Sequence, residues 1–386
     1  MKYKLVLLLN TFILALTLNS CIKDEPLGKE TDILSFKIEE EGYLSSEVSN
    51  DRVNVTVSNG VKLSAVTPII EVSSGATITP ASGGVQDFSN GSVTYKVTSE
   101  DKKYSKEYKV SFVKSSLIGL YFDFENWEKL ADKDGGYYVL QTPTLEGHNV
   151  KMWDSGNPGI AFVNKGKAFP TAPTSEDVFD GNYSAKLETM KGNVNIGNIK
   201  IPIFSGSLFY GSFYLGGGIS EPRKCLKLGQ LYSEEFGKPL IFTGYYKYKI
   251  GSPYIYLDEN KNEISTTEIT DAFSIYAVLF RVTKGQSDNE FLDGITIMDS
   301  EKIVARADWK PETEAITDTP AAKGFKKFTI PFEYKEGVIL DYQKYDYKLT
   351  IMFASSKDGN EYKGAIGSTL IIDNVKIINE NDEDEE

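Results

Sequence analysis

The chain has 386 residues, a length that suggests two or three domains, with 40% hydrophobic and 25% charged residues, an ordinary globular composition. Its formal net charge of −13 repels phosphate backbones and argues against nucleic acid as a partner. Two Cys and one His exclude a disulfide framework and a Cys/His zinc site, and 23 Tyr with 21 Phe favour strands over helices.

The first twenty residues read as a signal peptide. Lys2 and Lys4 form a positive start, and the apolar run Leu5–Leu18 is shorter than the ~20 residues that span a bilayer. It ends Leu18-Asn19-Ser20-Cys21, which resembles a bacterial lipobox, with Cys21 as the lipidated residue. Acyl chains contribute ~0.8 kcal/mol per buried CH₂, so two or three of them anchor stably. Residues 21–30 form a tether. Its charged start, Ile22-Lys23-Asp24-Glu25, resembles the acidic signal that sends Bacteroidetes lipoproteins to the outer face of the outer membrane.

Residues 31–114 read as a first β domain. Apolar and polar residues alternate in Ile33–Ile38, Val53–Val57, Val93–Val97 and Tyr104–Val113, where Tyr108, Val110 and Phe112 line one face. Turn signals such as Ser73-Ser74-Gly75 and Ser89-Asn90-Gly91 separate them. This spacing predicts an Ig-like sandwich of about seven strands. The segment Pro80-Ala81-Ser82-Gly83-Gly84-Val85-Gln86-Asp87-Phe88-Ser89 resembles one in the Ig-like spacers of Bacteroidetes surface lipoproteins.

A minimal linker, Ser115-Ser116, joins this domain closely to a second one over 117–379. Its predicted strands are Tyr137–Gln141, Ser184–Glu188, Ser207–Leu215, Leu240–Ile250, Ser274–Val282, Phe325–Pro331, Lys348–Ala354 and Thr369–Ile377, without a convincing amphipathic helix of ten residues. At least eight strands in one domain of this size suggest a jelly roll with long loops, so the chain as a whole is all-β. The acidic tail 380–386 is expected to be disordered.

The second domain holds Phe122-Asp123-Phe124-Glu125-Asn126-Trp127, Trp153-Asp154-Ser155-Gly156-Asn157-Pro158-Gly159 and Gly244-Tyr245-Tyr246-Lys247-Tyr248-Lys249. These stretches resemble the PCMD ("putative carbohydrate metabolism domain") family of Bacteroidetes lipoproteins, which usually follows an Ig-like domain. Ser274–Leu279 and the closing runs Ser355–Gly359 and Gly364–Val375 belong with them. The resemblance implies a jelly roll similar to carbohydrate-binding modules and brings no catalytic residues with it.

Sugar binding calls for aromatic faces ringed by polar side chains. Trp153 with Asp154, in the Gly/Asn/Pro-rich loop Trp153–Gly159, and Trp309, beside Pro311, are candidate exposed platforms. In Gly244–Ile250, Tyr246 and Tyr248 share one face, while Tyr245, Lys247 and Lys249 share the other. Tyr245 with Lys247 on an outer face suits a glycan, an acidic one included; cross-strand packing is the competing reading. Glycoside hydrolysis needs two carboxylates ~5–5.5 Å or ~6.5–9.5 Å apart. Asp177/Asp180, Asp258/Glu259 and Glu290/Asp293 qualify on paper, and no spacing favours any of them. His148 lacks a nucleophile elbow, and Cys225 reads as a small apolar residue.

Many jelly-roll carbohydrate modules carry a structural Ca²⁺ between first and last strands, and calcium's oxygen ligands suit this composition. Asp123 or Glu125 would ligate it from one side and Asp373, which interrupts an apolar strand, from the other; an exposed position on an edge, or a hydrogen bond to a neighbouring loop, is the alternative for Asp373. No cofactor is otherwise required. The expectation is a monomeric, surface-exposed outer-membrane lipoprotein that binds glycan through its second domain. A glycoside hydrolase of the same fold is the first alternative, and a structural or adhesin-like surface protein the second.

Overall fold

In the computed structural model the described residues are 27–40, 42–57, 61–114, 120–143, 149–163, 168–196, 199–217, 221–310 and 319–385. Cys21, Ser115-Ser116, His148 and Pro311 lie outside them.

Seven strands build the first sandwich. Ile33–Ile38 pairs with Pro68–Val72 in one sheet, and the other runs in the order Tyr43–Val48, Arg52–Val57, Ser105–Lys114, Val93–Thr98, Thr77–Thr79. Alternation decides what enters the core: Phe36, Val53, Val55, Tyr95, Val97, Tyr108 and Val110 are buried between the sheets. Phe36 meets Tyr95 and Phe112 edge-on, a favoured arrangement for aromatic quadrupoles.

The distal domain is a jelly roll of two larger antiparallel sheets. The eight-stranded one follows the path Trp153–Ser155, Ser207–Phe213, Tyr345–Ala354, Ser274–Thr283, Ile303–Asp308, Glu333–Tyr334, with Leu226–Leu228 and Gln230–Tyr232 added at its side. The seven-stranded one follows Thr171–Thr174, Ser184–Glu188, Thr369–Asn379, Pro239–Lys249, Lys326–Pro331, Thr319–Pro320, with Tyr121–Phe122 on Thr369–Asn379. Phe242, Phe328, Leu349, Phe353, Ile372 and Ile377 fill the space between them. The eight-stranded sheet is apolar on its other face too. There Phe209, Val278, Phe280 and Met352 pack against Cys225, Leu228, Leu292 and Ile297, which is why Ala277-Val278-Leu279-Phe280 is apolar without alternation.

Local chemistry sets the details of the long Pro239–Lys249/Thr369–Asn379 ladder. Its register shifts between Thr243 and Tyr245, opposite Asn374, whose φ of 44° marks a bulge. Gly244 faces this point because a Cβ there would come within 2.9 Å of Phe328 and Val375.

Two expectations need correction. The stretch Trp153–Gly159 is not a loop but a strand, Trp153–Ser155, followed by the seven-residue α-helix Asn157–Val163, which Pro158 suits at its first turn. The acidic tail begins as a 3₁₀ segment, Glu380–Glu385, because Glu380 and Asn381 bond to Lys238 and to the Glu235 carbonyl.

The two domains meet along the edge strand Tyr43–Val48. Gln230 Nε2 donates to Glu47 (2.7 Å), Ser287 Oγ to the Leu44 carbonyl (3.1 Å), and Asp288 accepts from Tyr43 Oη and the Ser46 amide. Covering an edge in this way removes a template for aggregation. Burial raises the carboxyls of Glu47 and Asp288 and lowers the Lys348 ammonium, so all three are pushed towards neutrality at the contact.

Candidate functional site

Trp153 is not an exposed platform. It is 1% exposed and sits among Phe122, Phe124, Tyr210 and Phe353, with ring centroids 5.0–6.1 Å away. Its strand pairs Trp153 with Tyr210, which turns the indole inward. Asp154 is buried as well; it lies 2.6 Å from the Lys151 ammonium and accepts the amide of Phe213 at 2.9 Å. A buried carboxylate with these partners holds structure together and cannot reach a ligand. Trp309 is half-buried, with its ring 4.4 Å from that of Phe273.

Tyr245 and Lys247 do lie on the outer face of the seven-stranded sheet, opposite the inward Tyr246, but that face is covered. Phe179 stacks on Tyr245 with centroids 3.6 Å apart and planes 14° from parallel, and Asp177 pairs with Lys247 at 2.6 Å. The loop between Thr174 and Ser184 thus occupies the surface that the sequence offered to a glycan.

Asp373, on the last strand, and Glu125, after the first, hold that loop. Asp373 is fully buried; its Oδ2 accepts from the amides of Phe179 (2.9 Å) and Asp180 (3.3 Å) and from Ser184 Oγ (2.6 Å), and its Oδ1 from the Asn374 amide (2.8 Å). Burial raises its carboxyl above the usual range, with the hydrogen bonds opposing. Glu125 accepts from the amides of Asn182 (2.8 Å) and Tyr183 (2.9 Å) and from Asn182 Nδ2, while Asp123 bonds to the Glu125 amide. Asp373 Oδ2 and Glu125 Oε1, each already facing two or more N–H or O–H donors, do not fit calcium, whose ligands must turn lone pairs to the ion. Among the described residues no group of three or more His, Cys, Asp or Glu is placed to hold a metal. Glu125 and Asp373 therefore act here as loop anchors, while Asp123 bonds within its own stretch.

Asp258, Glu290 and Asp293, three of the carboxylates that a hydrolase could use, are also engaged. Asp258 accepts the amides of Asn262 and Asn260, and the Asn262 bond foremost lowers its pKa. Asp293 and Glu290 are lowered too: partial burial pushes each up, and bonds from Thr296 and Ile295, or from Lys302 and Thr283, outweigh it. A general acid in glycoside hydrolysis needs the opposite shift. Among the described residues the carboxyls pushed upward are Glu47, Asp288 and Asp373, which face the domain contact or the loop seam. Cys225 is buried in the apolar cluster over the eight-stranded sheet.

An open groove of about 290 Å³ does exist, at the edge of the seven-stranded sheet where Thr171–Thr174 pairs with Ser184–Glu188. Such a volume falls just below the usual range of ligand sites, roughly 300–1,000 Å³. Phe169, Pro173 and Met190 give it apolar surface, and Glu176, Lys186 and Glu188 give it charge. Ala185 and Leu187 enter the core, so alternation points Lys186 and Glu188 outward, where their side chains pair at 2.8 Å and stay 39% and 28% exposed. Pro173 sits on the edge strand, where a missing N–H does no harm. Sequence reasoning found the strand Ser184–Glu188 but not the groove. The Lys186/Glu188 alternation was the available signal, whereas Phe169 and Met190 reach the site through a turn and a strand end without periodicity.

The model of the family described as "putative carbohydrate metabolism domain" (PCMD) matches residues 123–378, and that described as "SGBP, N-terminal" matches 33–112. The chain is 28% identical to a solved structure from Bacteroides thetaiotaomicron VPI-5482 titled a "putative glycoside hydrolase". That match has a TM-score of 0.76 and covers 92% of this chain and 99% of the other. A second structure under the same description, from Bacteroides vulgatus ATCC 8482, is 31% identical with a TM-score of 0.57, over 68% of this chain and 99% of the other. Comparison with curated proteins gave no match.

Proposed function

This protein belongs to the PCMD family, and on that premise we propose that it is a surface lipoprotein whose jelly roll binds glycan in the Phe169–Met190 groove. It would serve polysaccharide capture or use, anchored at Cys21 in the outer membrane. The observation that carries the reading is the groove itself, where apolar faces for sugar C–H surfaces adjoin hydroxyl, ammonium and carboxylate groups for sugar hydroxyls. The surface location draws support from the match of residues 33–112 to the N-terminal domain of surface glycan-binding proteins. Hydrolysis is the alternative reading, and product analysis separates it from binding.

A glycan array probed with the full chain, followed by product analysis on each hit, tests this. Retention of one polysaccharide class with no release of new reducing ends is expected. Release of oligosaccharide would replace the binder with a hydrolase. Absence of binding across host and plant polysaccharides would contradict both.

A further inference from the structure

We infer that the groove takes an uncharged polysaccharide rather than a uronate-containing or sulfated one. The inference rests on the groove being the glycan site. The charged side chains lining it are Glu176, Lys186 and Glu188, and the ammonium of Lys186 is already paired with Glu188 at 2.8 Å. What remains unbalanced is the exposed carboxylate of Glu176, on a chain whose formal net charge is −13. An anionic sugar would enter against that field, and a like charge a few ångströms from Glu176 weakens binding roughly tenfold even when water screens much of it.

Part of the basic surface that would have compensated is taken up: Asp177 neutralises Lys247 at 2.6 Å, and Phe179 covers Tyr245. For a neutral sugar the same carboxylates are assets. Each accepts hydroxyl hydrogens in charge-assisted bonds, Thr174 and Ser175 add hydroxyls, and Phe169 and Pro173 meet the C–H face of the ring.

The test is affinity electrophoresis of the full chain in gels holding glucan, mannan, polygalacturonate, alginate or chondroitin sulfate, at low and high salt. Retardation by a neutral polymer at least ~10-fold stronger than by any anionic one, and nearly independent of salt, is expected. The variant Glu176→Gln should narrow that gap, by strengthening retardation by the anionic polymers. Equal or stronger retardation by an anionic polymer, weakening with salt, overturns this inference and leaves the glycan reading standing. No retardation by either class overturns the glycan reading and the inference with it.

Discussion

Ending the chain before Thr369 is expected to leave the distal domain unfolded while the first sandwich keeps its structure. Thr369–Asn379 pairs with Pro239–Lys249, Ser184–Glu188 and Tyr121–Phe122, so its loss divides the seven-stranded sheet. It also removes Leu370, Ile371, Ile372, Val375 and Ile377 from the core, each 7% exposed or less. At ~1.5–3 kcal/mol per buried side chain this is on the order of 10 kcal/mol, comparable with the whole stability of a domain. Asp373 goes with the strand, and the amides of Phe179 and Asp180 lose their acceptor. Near-UV circular dichroism and limited proteolysis would read the outcome. A truncated chain with native aromatic signal over the distal domain would refute the view that this strand closes it.

Trp153→Ala should lower stability by ~3–5 kcal/mol, the range for emptying a fully buried aromatic site. The indole touches Phe122 and Phe124 of the opening stretch, Tyr210 of its neighbouring strand and Phe353 of the central one, so its loss opens a void among four rings. Any loss of sugar binding in this variant should therefore accompany a fall in denaturation midpoint. Trp153→Ala with wild-type stability and no binding would return the residue to the role of platform.

Much of the fold was legible because alternation reports burial directly. Ser184–Glu188 and Ile33–Ile38 were read with the bounds they have in the structure, and Ser274–Val282 fell one residue short of Ser274–Thr283. The aromatic alternation of Tyr245 and Tyr246 also gave the correct inner and outer faces.

The site was less legible, since what covers a face comes from elsewhere in the chain. Nothing near Tyr245 announces Phe179, some sixty-six positions earlier, stacked on it. Trp153 looked exposed because Gly156, Asn157 and Pro158 are turn formers, yet the same residues also start a helix after a strand. Asp373 interrupts an apolar strand, which left pairing, a metal ion or exposure open; in the structure two amides and a hydroxyl of the loop before Ala185 converge on it.

The most direct measurement is hydrogen exchange of the full chain with and without a polysaccharide that it retains. Slowed exchange is predicted in peptides spanning 168–176 and 184–190, where the groove lies, with little change around Trp309 or Tyr245. Protection centred on Trp309 or on the Tyr245 face, with the groove peptides unchanged, would contradict the account.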